Sequence, residues 1–292
     1  MPDLMGLITA ALRDPGNIPW LPGLATKLVD RGWEDLYYDT GLTPSEYGTE
    51  RVLARDRNVP RKIVSMIPAA LSYRDSAQAF QIELLGRDAA RRYEESGVKF
   101  YSEDEINRGR MTERVVEAVT ILKSIPTLFT AVAELVRSIH LIDAGDDDYD
   151  ASFSEPHLPF SIFVSVQRNP SKASVLRAVE AIVHEAMHLQ LTLIERTVAL
   201  TRPAGGMYFS PWRQEYRDVR GILHALYVFQ VIDRLLEKIA AGDNEYGTEG
   251  YEHLQSRRNE ISKQVRAVKS FQDCPELTRL GADFVKYLVQ DV

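Results

Sequence analysis

The stretch from about Ser174 to Leu200 restricts this chain most. It keeps one apolar face at helical spacing through Val179, Ile182, Val183, Met187, Leu191 and Ile194. A helix of that length must bury the face against other elements. Within it stands His184-Glu185-Ala186-Met187-His188. Positions i and i+4 lie one turn apart on the same side of a helix. His184 and His188 can therefore offer two imidazole nitrogens to one metal ion. The apolar face matters to that chemistry, because ligands need a rigid supporting shell.

The surrounding pattern predicts the scaffold. Ser138-Ile139-His140-Leu141-Ile142 and Phe160-Ser161-Ile162-Phe163-Val164-Ser165-Val166 are β-type runs, separated by an acidic loop over 143–159. Before them, helices are expected near 74–96, 104–124 and 126–136, the last started by Pro126. Residues 1–42 read as short helices and turns, and Thr43-Pro44-Ser45-Glu46 as a capping box. After 202–210 another helix is expected, with Ser210 as N-cap and Pro211 in its first turn, then two more near 250–270 and 275–290. The expected fold is mainly α (α+β): a helical domain with a small antiparallel sheet beside the HExxH helix. Residues 1–136 would form an N-terminal helical region suited to peptide recognition and 137–292 a metal-binding catalytic region, or the two would make one continuous domain. No repeat or linker marks a boundary.

Composition excludes several classes. With 292 residues, 45% hydrophobic and 26% charged, the chain has the make-up of a soluble globular protein. A net charge of −7 gives no electrostatic footprint for nucleic acid. The single Cys274 cannot form an internal disulfide, which fits a reducing cytoplasm. Met1-Pro2-Asp3-Leu4-Met5 lacks the basic start of a secretion signal. No apolar run approaches the roughly 18 residues that span a bilayer. The expectation is a cytoplasmic protein with no membrane or nucleic-acid partner; the oligomeric state is not legible.

Glu185 admits two roles. In a zinc peptidase it is the general base that activates a metal-bound water. In another metalloenzyme it orients a ligand from outside the coordination shell. Glu180, one turn before His184, points along the same stripe and reads as an outer support or ion-pair partner.

The segment Ser210-Pro211-Trp212-Arg213-Gln214-Glu215-Tyr216-Arg217-Asp218-Val219-Arg220-Gly221-Ile222-Leu223-His224 discriminates further. Measured from Arg213 on a continuous helix, Arg217 falls at about 40°, Arg220 at about −20° and His224 at about 20°. Three arginines and a histidine then make one stripe, which runs into the apolar Ala225-Leu226-Tyr227-Val228-Phe229. His224 is the candidate third metal ligand. Arg213, Arg217 and Arg220 are placed to grip an anionic group, since guanidinium holds a carboxylate through two parallel hydrogen bonds. Glu215 lies off the stripe, about 160° from Arg217, so the later-helix glutamate of one peptidase class is not matched. Leu189-Gln190-Leu191-Thr192 likewise lacks the extended histidine motif of another.

Four segments together resemble the HExxH-type peptide β-hydroxylases: Ser154-Glu155-Pro156-His157-Leu158-Pro159, His184 to Leu191, Ser210-Pro211-Trp212-Arg213, and Gly221-Ile222-Leu223-His224-Ala225. The likeness covers about residues 135–235. It implies an iron(II)- and 2-oxoglutarate-dependent oxygenase that uses O2 to hydroxylate the Cβ of residues in a ribosomally made precursor peptide. It further implies iron held by His184, His188 and His224; since non-haem oxygenases usually use two histidines and a carboxylate, Glu180 or Glu185 is the fallback third ligand. One arginine, Arg213 or Arg217 before Arg220, would bind the distal carboxylate of 2-oxoglutarate. Two competing readings stay open: a zinc metallopeptidase with Glu185 as base, and a metal-free peptide-binding module. Elsewhere, His140 reads as a packed histidine and His253 as a surface one. Ser154, His157 and Asp146-Asp147-Asp148 read as solvated loop or substrate contacts, and Tyr208 and Trp212 as groove lining or core.

Overall fold

The structure is a computed structural model that describes residues 3–14, 19–40, 61–69, 78–145, 151–154, 160–168, 171–203, 205–242 and 246–290. The chain forms two compact units, one of Leu28–Leu189 and one that joins Met1–Lys27 to Gln190–Val292. The architecture is mainly α with β. No helix among the described residues is long and apolar enough to cross a membrane.

The Leu28–Leu189 unit is built on a six-stranded sheet of order β1-β2-β4-β6-β5, with β3 beside β4. The strands are β1 (Arg61–Ala69), β2 (Gln78–Leu85), β3 (Lys99–Phe100), β4 (Ser138–Asp143), β5 (Ser152–Ser154) and β6 (Ser161–Ser165). The sheet is mixed rather than antiparallel as expected: β2–β4 and β4–β6 run parallel, whereas β1–β2, β3–β4 and β5–β6 are antiparallel. The physical reason is legible in β4 and β6, whose residues are almost all buried, as in central strands covered on both faces.

The expected helix over 74–96 is instead β2 followed by α3 (Arg87–Glu94). Phe80 and Ile82 alternate with Gln81 and Glu83, and all four are buried, so two-residue periodicity wins there. Because β2 neighbours β4, residues on both sides of position 136 share this one sheet. The other helices between residue 25 and β4 are α2 (Ala25–Thr40), α4 (Glu103–Arg108), α5 (Met111–Lys123) and α6 (Pro126–Leu135). Ser102 and Glu105 form a reciprocal capping box at α4, and Pro126 opens α6. Thr43–Glu46 lies outside the described residues.

The pleat gives the sheet two different faces. Strand register places His140 opposite Phe163, and Phe163 opposite Phe153, on one face. There His140 stacks on Phe163 at 4.7 Å, and Phe153 stacks on Phe163 at 4.4 Å. His140 Nδ1 lies 3.0 Å from the carbonyl of Glu83, so it is the packed histidine that its strand predicts. The opposite face carries Phe80 and Ser152. Phe80 meets Phe129 of α6 edge-on at 6.3 Å. Ser152 reaches α7 (Lys172–Thr197), the helix that contains the histidine pair.

The second unit packs α1 (Leu4–Arg13), α8 (Val219–Ala240), α9 (Gly247–Ala267) and α10 (Arg279–Val289) around a core that includes Trp20, Tyr227 and Phe284. Arg13 pairs with Asp283 at 3.0 Å to tie α1 to α10. Thr278 caps α10 by accepting from the Gly281 amide at 3.0 Å. The hairpin β7 (Met207–Ser210) and β8 (Glu215–Asp218) precedes α8.

Candidate functional site

In α7, Nε2 of His184 and Nε2 of His188 stand 3.1 Å apart. That separation is an N–H···N hydrogen bond when one ring carries the proton. It also fits a shared cation, since each nitrogen can reach an ion at the roughly 2.1 Å of a metal–imidazole bond. Metal binding would displace the shared proton, because only unprotonated imidazole nitrogens coordinate. Two imidazoles suit zinc, iron, nickel and copper alike, so this donor set favours no single metal. The His184 side chain is 24% exposed, leaving access from one side. Among the described residues, no group of three or more His, Cys, Asp or Glu gathers as a metal cage.

Glu185 lies beside the pair, its Oε1 3.8 Å from His184 Nε2, with only 3% of its side chain exposed. The same Oε1 accepts a 2.7 Å hydrogen bond from the Ser152 hydroxyl. A buried carboxylate needs such a donor, since an uncompensated charge away from water is costly. Edge strand β5 thus fixes the orientation of the motif glutamate. Glu180 is also buried in α7.

The stripe expected over Arg213 to His224 is not one helix. Residues 207–210 and 215–218 pair as an antiparallel hairpin, with Phe209 opposite Tyr216 and Tyr208 opposite Arg217. Ser210 ends β7 instead of capping a helix, although its Oγ accepts a long 3.4 Å bond from the Arg213 amide. Gln214 closes the turn in the left-handed region at φ 55°. The helix starts at Val219 because Asp218 caps it, its side chain accepting from the Gly221 amide at 2.7 Å. Only Arg220 and His224 keep the expected one-turn spacing.

Those two residues meet on Glu195. Its Oε2 lies 2.9 Å from His224 Nε2 and 2.7 Å from Arg220 Nε. A carboxylate only accepts, so Nε2 of His224 carries the proton. Burial pushes the Glu195 carboxyl up. The hydrogen bond from His224 and the charges of His224 and Arg220 outweigh it and hold the group below its ordinary value. Arg217 pairs with Glu215 at 3.1 Å. Arg213 sits exposed in the hairpin turn, and among the described residues it has no ion-pair partner.

Ser152 and Glu195 were not found by sequence reasoning. Glu195 carried a usable signal: it follows His188 by seven residues, a spacing that returns to the same helical side. Ser152 carried none, since a serine on a three-residue strand has no local pattern. His157 and Asp146–Asp148 lie outside the described residues. Trp212 packs flat on Phe229 at 5.4 Å, and Tyr208 packs edge-on against Phe271 at 5.8 Å; both are packing aromatics here. His253 is half-buried on α9. No protein-family model matches the chain, and no curated protein is significantly similar to it.

Proposed function

We propose that this chain is an iron(II)- and 2-oxoglutarate-dependent oxygenase that β-hydroxylates residues of a ribosomally made peptide in the cytoplasm. The observation that carries the reading is the convergence of the two Nε2 atoms of His184 and His188 within 3.1 Å on one buried-faced helix. The sequence resemblance supplies the choice of iron and of a keto-acid cosubstrate.

His184 and His188 hold the metal, and His224 is the third ligand that the resemblance implies. Bound iron(II), with 2-oxoglutarate and O2, supplies the insertion of one oxygen atom into a Cβ–H bond, while the keto acid loses carbon dioxide and becomes succinate. The chain's own residues bind, orient and exclude water. Arg213 is favoured over Arg217 and Arg220 as the grip for the distal carboxylate, because Glu215 and Glu195 already occupy the other two guanidinium groups. Glu185, held by Ser152, keeps its carboxyl group oriented beside His184, with Oε1 3.8 Å from Nε2.

The zinc-peptidase reading retains one favourable observation, the 3.8 Å approach of Glu185 Oε1 to His184 Nε2. Product analysis separates the two. Oxygen gain by a peptide, dependent on iron(II), 2-oxoglutarate and O2 together, supports the oxygenase. Peptide-bond cleavage by zinc-loaded protein, lost in Glu185→Gln, supports the peptidase.

A further inference from the structure

We infer that the edge of β5 turned away from β6, unpaired among the described residues, is the docking strand for the peptide substrate, which adds to the sheet as a further strand beside the histidine pair. The choice of a peptide as occupant rests on the function proposed above; the edge itself rests on geometry.

Among the described residues, β5 ends the six-stranded sheet and pairs with β6 alone. The Ser165 amide donates to the Ala151 carbonyl at 2.9 Å, which makes Ala151 and Ser165 a hydrogen-bonded pair. In an antiparallel ladder such pairs alternate. Phe153, opposite Phe163, is therefore the next residue turned toward β6. Ser152 and Ser154 turn their N–H and C=O groups outward, and among the described residues nothing pairs with them. Edge strands usually carry a charge, a proline or a bulge that blocks strand addition. Ser152-Phe153-Ser154 has none of these.

The edge is continuous with the candidate metal centre. Ser152 Oγ is 2.7 Å from Glu185 Oε1, which is itself 3.8 Å from His184 Nε2. Phe153 anchors the strand from the other face by stacking on Phe163 at 4.4 Å. An extended peptide held by Ser152 and Ser154 would present every second side chain to the face that carries Glu185, with specificity left to the side chains. A second copy of the chain is a poorer occupant, because three residues of polar edge bury too little area for a stable protein interface.

The test uses the full chain and an arrayed set of unstructured peptides of diverse sequence, from which the tightest binder becomes the probe. Saturation with that probe should slow amide hydrogen exchange at Ser152 and Ser154 by at least about tenfold, and leave Phe153, already laddered, nearly unchanged. Ser154→Pro removes one outward donor without touching the β6 ladder, and should weaken the probe about five- to tenfold. If that variant fails to fold, N-methylation of alternate amides in the probe makes the same cut from the other side. A set in which no peptide binds, or a probe that leaves both serine amides unprotected, overturns the docking site. Hydroxylation of a peptide that leaves both amides unprotected would sink the docking strand alone. Protection with no oxygen gained would sink the oxygenase reading alone.

Discussion

Glu195 receives His224 Nε2 and Arg220 Nε on a single carboxylate oxygen, at 2.9 and 2.7 Å. Carboxylates that hold the far nitrogen of a histidine fix its tautomer and strengthen it as a donor. If His224 completes the iron site, Glu195→Ala should weaken iron(II) binding about 10- to 100-fold while His224→Ala abolishes full loading. Anoxic titration of both variants checks this. Wild-type affinity in His224→Ala shows that the third ligand lies elsewhere.

The arginines should separate by their partners. Arg213→Ala is expected to raise the 2-oxoglutarate concentration needed for half-maximal turnover by about tenfold or more, with metal content unchanged. Arg220→Ala should instead lower the melting temperature, because it strips Glu195 of one of its two donors. Equal effects of the two variants on the cosubstrate requirement contradict the assignment of Arg213.

A charged clasp in the Leu28–Leu189 unit gives a pH prediction. Arg168 bonds Asp143 at 2.8 Å and Glu105 at 3.2 Å, and its guanidinium lies 4.9 Å over the Tyr101 ring. Burial pushes the Asp143 carboxyl up, but Arg168 and the Gly145 amide outweigh it and leave the group below its ordinary 3.8. Glu105 is held below 4.5, chiefly by the Ser102 amide and hydroxyl and then by Arg168. Both folded values are depressed, so their stabilisation is complete above the ordinary carboxylate range and is lost as pH falls through the folded values. Arg168→Met should lower the melting temperature at neutral pH. The gap to wild type should close on acidification below about pH 4. A gap independent of pH means that the clasp does not contribute through charge.

Much of this could be read from residues alone, and the failures have physical causes. α7 and the buried strands β4 and β6 were legible because long helical periodicity and apolar β runs are strong local signals. The sequence of β2 suggests helix because Leu84 and Leu85 adjoin the alternation of Phe80 to Glu83 and blur its period. The hairpin before α8 is hidden in the sequence because Arg213, Arg217 and Arg220 mimic helical spacing. Cross-strand pairing of Phe209 with Tyr216, at 5.8 Å, and the Asp218 cap override it. The parallel order of the sheet depends on which distant strands meet, and no local pattern encodes that. The histidine pair was legible in full, but its Ser152–Glu185 support is a tertiary contact.

The approach of α10 to the chain at Leu200 is tight enough to test the second unit. A Cβ on Gly281 would stand 2.0 Å from the Leu200 carbonyl oxygen. Gly281→Ala should therefore cost at least about 3 kcal/mol or displace the helix start. Chemical denaturation reads it directly, and a loss under about 1 kcal/mol would show that the contact relaxes easily.

Stoichiometry separates an oxygenase from a peptidase. Protein purified without oxygen and loaded with iron(II) is given O2, 2-oxoglutarate and a bound peptide, and succinate is counted against oxygenated peptide. One succinate should form per oxygen atom gained, with no product when any of iron(II), O2 or 2-oxoglutarate is withheld and none from His184→Ala or His188→Ala. Peptide cleavage by zinc-loaded protein, or turnover that continues without 2-oxoglutarate, would rule out the oxygenase.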